Sequence, residues 1–138
     1  MILIETDLLL AAISLEDKHN AEATAILDKF EGKIGLSPYS IIEIDLLLRS
    51  ESLKVLNIKE FHKLLDSFTE YQGIRILPLK PLYHAEAYRL REKYKLTYFD
   101  SLHASIGIIE NLELVSFDKT YKAVSNLKYK HPSQLLKR

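Results

Sequence analysis

Five carboxylates stand where acids do chemistry rather than solvate a surface. Glu5 and Asp7 flank Thr6 directly after the apolar run Ile2–Ile4. Asp100 opens a helical pattern, and Asp118 follows the short strand-like run Leu114–Ser116. Glu43 is the most informative, because its helical neighbours Tyr39, Leu46 and Leu47 surround it with apolar side chains. A lone carboxylate in such company is costly, so it needs a cation, a metal or a proton unless it reaches solvent. Asp100 and Asp118 also have a plainer role open to them, as helix caps.

Carboxylates drawn from separate elements to one edge repel one another, and a hard divalent cation relieves that repulsion. The chain has no cysteine, and no two histidines stand at metal-ligand spacing on one helix. An oxygen-only donor set points to Mg²⁺ or Mn²⁺ rather than zinc. The chemistry such a site suits is phosphodiester hydrolysis, in which metal activates water and offsets charge on phosphate. Thr6 and Ser116 are placed either to donate hydrogen bonds to these carboxylates or to satisfy backbone groups at strand ends. His103, three residues beyond Asp100, reads as a structural or groove residue more than as a general base.

The elements that must position these acids are short. Strands are expected at Ile2–Ile4, Lys33–Leu36, Ile74–Leu77 and Leu114–Ser116. Helices are expected over Leu8–Leu15, Asp17–Phe30, Pro38–Arg49, Lys59–Tyr71, Pro81–Tyr94, Asp100–Ile109 and Lys119–Leu127, with Asp17 and Ser37 as caps and Pro38 in a first turn. Alternation of strand and helix implies an α/β domain with a small, mostly parallel sheet. In an open sheet of that kind ligands bind beyond the carboxyl ends of the strands, where Glu5, Asp7 and Asp118 fall. Were Ile2–Ile4 to continue as strand, the separation of Glu5 and Asp7 by two would aim both side chains the same way.

The 138 residues suit one domain, and 47% hydrophobic with 28% charged residues is a globular balance. The absence of cysteine excludes disulfide scaffolds, thiolate metal sites and thiol nucleophiles. The start MILIETD is far too short for a signal peptide or a membrane span, so a cytoplasmic protein with no membrane association is expected. Net charge is zero but unevenly spread: nine acids oppose three lysines up to Leu48, and sixteen bases oppose ten acids from Arg49 onward. Lys119, Lys122 and Lys128 lead the basic end, followed by Lys130, Lys137 and Arg138, and read either as a phosphate-binding surface or as a simply solvated face.

At these residues the chain resembles PIN domains, and in particular the VapC ribonuclease toxins of prokaryotic toxin–antitoxin pairs. The resemblance runs through Ile4-Glu5-Thr6-Asp7, Glu16-Asp17-Lys18-His19 with Ala21 and Ala25, Ser37-Pro38 with Glu43, Asp100-Ser101-Leu102-His103-Ala104, and Val115-Ser116-Phe117-Asp118. It implies a single three-layer α/β/α domain over residues 1–138, a Mg²⁺ or Mn²⁺ site on Glu5, Asp7, Glu43, Asp100 and Asp118, and endonucleolytic cleavage of RNA. It also implies a homodimer and a VapB-like antitoxin. An excess of apolar side chains at Leu8, Leu9, Leu10, Ile13 and the leucines of the Pro38–Arg49 helix agrees with self-association. One departure stands out: the family usually has aspartate in place of Glu5, and serine or asparagine in place of Asp7. Either Asp7 supplies the short carboxylate, or Glu5 reaches the metal with its extra methylene, or the domain keeps the fold as a weakly catalytic RNA- or protein-binding module.

Overall fold

A computed structural model describes residues 1–137, so Arg138 lies outside the described residues. Five strands form one sheet in the order β3-β2-β1-β4-β5, with every pairing parallel. They are β1 (Ile2–Ile4), β2 (Ile34–Leu36), β3 (Arg75–Ile76), β4 (Glu113–Val115) and β5 (Tyr129–Lys130). The helices are α1 (Thr6–Ile13), α2 (Asn20–Lys29), α3 (Tyr39–Arg49), α4 (Ile58–Tyr71), α5 (Pro81–Tyr94), α6 (Tyr98–Ile109) and α7 (Pro132–Leu135).

Alternation along β1 builds the layers. Ile2 and Ile4 pack into a core with α1, α2, α3 and α4, through residues such as Leu8, Ile26, Ile44 and Leu65. Leu3 points the other way, into a second core with Tyr83 and Leu90 of α5 and Leu102 and Ile106 of α6. The result is a three-layer α/β/α sandwich around a small parallel sheet, as expected. β1 sits centrally, and its register aligns Ile4 with Leu36 on one side and Val115 on the other. The residues following β1 and β4 therefore emerge together, where the strand order reverses, which is where open α/β sheets bind ligands.

Several boundaries differ from expectation. α1 begins at Thr6, because the Glu5 side chain caps it by accepting from the Asp7 amide at 2.7 Å. α2 begins at Asn20, and Asp17 instead accepts from the amide of His19. α3 begins after Pro38, and Ser37 makes no cap bond. α6 begins at Tyr98 with Thr97 as its cap, which leaves the Asp100 side chain free of that duty. The expected last helix is a 3₁₀ segment, Lys119–Ala123. Tyr121 is the buried residue of this segment, and Val124 and Leu127 are buried beyond its end. Leu8 and Leu9 are fully covered within the chain, so they add nothing to the surface available for association. No helix among the described residues is long and apolar enough to cross a membrane.

Candidate active site

Glu5 leaves β1 and turns inward, only 4% exposed. While Oε1 caps α1, Oε2 accepts from the Tyr121 hydroxyl at 2.8 Å. The same hydroxyl lies 3.2 Å from Asp100 Oδ1, so Tyr121 stands between two carboxylates with one hydrogen to give. Tyr121 escaped sequence reasoning. Its only signal was a position three residues beyond Asp118.

Glu43 comes from the middle of α3 and is half-buried, held by donors from two other elements. Thr6 Oγ1 donates to its Oε1, and His103 Nε2 lies 3.0 Å from the same oxygen. His103 is fully buried on α6, and its Nδ1 lies 2.7 Å from Ser37 Oγ. Ser37 thus orients the imidazole rather than capping a helix. Ser37, His103 and Glu43 form a chain that fixes one carboxylate at the sheet edge.

Asp7 does not point with Glu5, since the strand has already ended and a helical turn separates them. Its Oδ2 accepts from Ser116 Oγ at 2.9 Å and from the Phe117 amide at 3.0 Å, tying α1 to the exit of β4. Its Oδ1 is buried with no hydrogen-bond partner. Asp118 caps the 3₁₀ segment through the amide of Thr120, and its own amide donates to Ser116 Oγ at 3.0 Å. The pattern of bonds makes Thr6 an orienter of Glu43 and Ser116 an orienter of Asp7.

The electrostatics show how crowded this edge is. Burial pushes Glu5 up to about 7, with the negative charges of Glu43 and Asp100 adding to the rise against the opposing Asp7 amide and Tyr121 hydroxyl. Burial, then the charge of Glu5, pushes Asp7 up to about 8. Asp100 is raised by burial and by Asp118. Glu43 alone moves down: burial works against ionisation there, but the bonds from His103 and Thr6 outweigh it. Three acids are thus raised while Glu43 is lowered, and among the described residues the one basic side chain in ion-pair contact with any of the four is His103.

A divalent cation suits this donor set in kind: oxygens from Glu5, Glu43 and Asp100, flanked by Asp118, with the unpaired Asp7 oxygen close behind. As the side chains stand, no group of three or more histidine or acidic residues among the described residues converges to hold an ion. Tyr121, Thr6 and His103 instead hydrogen-bond to one oxygen each of Glu5, Glu43 and Asp100.

Lys119, Lys122 and Lys128 are exposed, and among the described residues no carboxylate pairs with them. Lys119 and Lys122 share the 3₁₀ segment that carries Tyr121, which sets them at the rim of the acidic edge.

Comparison with known proteins fits this architecture. The family model of the PIN domain matches residues 2–127. No curated protein matches the chain. Among solved structures, a toxin–antitoxin complex from Klebsiella pneumoniae aligns over 96% of this chain and 98% of its own, at 17% identity and a TM-score of 0.71. FitAcB from Neisseria gonorrhoeae aligns over 96% and 99%, at 21% identity and a TM-score of 0.72. VapBC2 from Rickettsia felis, bound to a DNA fragment from its promoter, aligns over 95% and 98%, at 24% identity and a TM-score of 0.69. At these identities the likeness is one of fold.

Proposed function

The chain belongs to the PIN domain family, and from that premise we propose that it is a Mg²⁺- or Mn²⁺-dependent endoribonuclease, the toxin of a type II toxin–antitoxin pair. The observation that carries the reading is that Glu5, Glu43 and Asp100, from three separate elements, lie near enough at the reversal point of the sheet for the charges of Glu43 and Asp100 to raise Glu5, although they do not converge on one point as they stand. These three would hold the cation, with Asp118 at the rim and Asp7 behind. When bound, the cation supplies Lewis acidity that activates water and offsets charge on the phosphate. Thr6 and His103 keep Glu43 ionised and aimed, Ser116 holds Asp7, and Lys119, Lys122 and Lys128 attract the RNA backbone.

The same reading takes residues 1–138 as one cytoplasmic PIN domain. The toxin–antitoxin complexes among the similar structures support an antitoxin partner. Exposed Ile41 and Leu46 on α3 support a homodimer, whose mass by light scattering would be about twice 15.9 kDa.

Tyr121 lodged between Glu5 and Asp100 favours a second reading, a PIN domain that binds RNA or protein with little turnover. Incubation of a mixed RNA pool with Mn²⁺, Mg²⁺ or chelator separates the two. The nuclease reading expects metal-dependent fragments that vanish with chelator and in Asp100→Asn. An intact pool under every condition, with RNA retained on the protein, supports the binding module.

A further inference from the structure

Beside the acidic edge lies a recess of about 490 Å³ lined by Tyr39, Ile42, Leu79, His84, Tyr98 and Phe99. We infer that this recess receives an unpaired nucleobase of the RNA whose backbone passes the carboxylates. The inference rests on the nuclease reading for its substrate class, and adds to it a site that reads bases rather than phosphates.

Three observations carry it. The recess lies next to the acids along the chain, since Ile42 precedes Glu43 on α3 and Phe99 precedes Asp100 on α6. Phe99 is stacked on His103 with centroids 6.5 Å apart, and His103 is the imidazole that holds Glu43. A base in the recess would therefore sit within a nucleotide or so of a phosphate at the edge.

The lining is aromatic and has a ring ready for stacking. Tyr98 is 53% exposed. The Arg91 guanidinium lies 5.2 Å from its centroid and donates to Ser101 Oγ at 2.8 Å, which holds the ring in place before any ligand arrives. Stacking on a fixed ring loses little conformational entropy, and a π-face accepts any base.

Phosphate fits this recess poorly. Its lysine, Lys80, is already paired with Glu110 at 3.0 Å, and Glu110 also accepts from Tyr83 at 2.6 Å. What remains is a largely apolar, aromatic hollow, and the flat face of a base is the part of RNA that matches it.

The test compares an unstructured six-nucleotide RNA with an abasic strand of equal length and charge, both binding the full chain with Ca²⁺ in place of Mg²⁺. We expect the base-bearing strand to bind about tenfold more tightly. Tyr98→Ala and Tyr98→Leu should bring that ratio close to one while leaving affinity for the abasic strand unchanged. Tyr98→Phe should restore the ratio. Equal affinities in the parent protein, or a tenfold ratio that survives in both Tyr98→Ala and Tyr98→Leu, would overturn the inference. So would a fall in oligomeric mass in Tyr98→Ala, which would make the recess a contact with a second copy. Cleavage with Mn²⁺ is scored in parallel. Cleavage without base preference removes the recess and keeps the nuclease, whereas base preference without cleavage does the reverse.

Discussion

Tyr121 is the residue on which the chemistry of this edge turns. Its hydroxyl has one hydrogen and two carboxylate neighbours, Glu5 at 2.8 Å and Asp100 at 3.2 Å. Tyr121→Phe keeps the ring that fills the core but strips Glu5 Oε2 of its donor. Leaving a buried acceptor unpaired costs about 1–3 kcal/mol, so the variant should melt at a lower temperature in chelator. Mn²⁺ should recover more of that loss in the variant than it adds to the parent, because the hydroxyl no longer competes for the two oxygens. Equal stabilisation of both proteins by Mn²⁺ would remove Tyr121 from the site. Asp7 gives a second prediction at this scale. Unfolded, it ionises near 3.8; folded, burial holds its proton up to about pH 8. Between those values the native state binds one more proton than the unfolded chain, so stability falls as pH rises through this window and levels off above it. Glu5, raised to about 7, acts in the same direction. In chelator the melting temperature should decline from about pH 5 to pH 8, and less steeply in Asp7→Asn. A parallel decline in parent and variant would place the titrating group elsewhere.

At the scale of elements, the position of α1 decides where three site residues point. Its C-terminal end lacks a basic side chain, and Asn20 at the start of α2 supplies donors instead, to Ala11 O at 2.9 Å and Ala12 O at 3.2 Å. Asn20→Ala should cost about 1 kcal/mol and lower the melting temperature by a few degrees, with the two helices loosened at their junction. An unchanged melt would show that water replaces the amide without loss. The strands β1, β2 and β4 and helices α1 to α6 were legible because apolar runs of the right period bury them, and β3 was legible from Ile74 and Leu77, the buried residues that flank its two exposed ones. β5 was not: Tyr129–Lys130 is a two-residue strand with polar-tipped side chains, created by pairing with β4 rather than by any pattern of its own. Lys119–Leu127 read as one helix because its apolar residues Tyr121, Val124 and Leu127 stand three apart, although the helical part ends at Ala123. The acids at the strand ends were legible from the strands themselves. The partners that hold them were less so, since the bond from Ser37 to His103 spans 66 positions and that from Tyr121 to Glu5 spans 116. The divergence of Glu5 and Asp7 was hidden by a single event, the start of α1 at Thr6.

The whole molecule separates an acidic centre from a basic rim. Three of the nine acids up to Leu48 (Glu5, Asp7 and Glu43) stand at the edge with Asp100 and Asp118, while the last twenty residues carry six bases and no acid. RNA attraction and bond cleavage should therefore respond to different substitutions. Replacing Lys119, Lys122 and Lys128 with glutamine should weaken RNA binding and flatten its dependence on salt by roughly two to three in the log–log slope, for three lost phosphate contacts, while metal affinity stays near its parental value. A salt slope equal to the parent's would reduce the basic end to a solvated surface.

The central claim is that Glu5, Glu43 and Asp100 act as one cation site, and calorimetric titration with Mn²⁺ tests it most directly. The parent protein should bind the ion with measurable heat, and either Asp100→Asn or Glu43→Gln should lose most of that heat while keeping the parental circular dichroism spectrum. Undiminished affinity in both variants would contradict it.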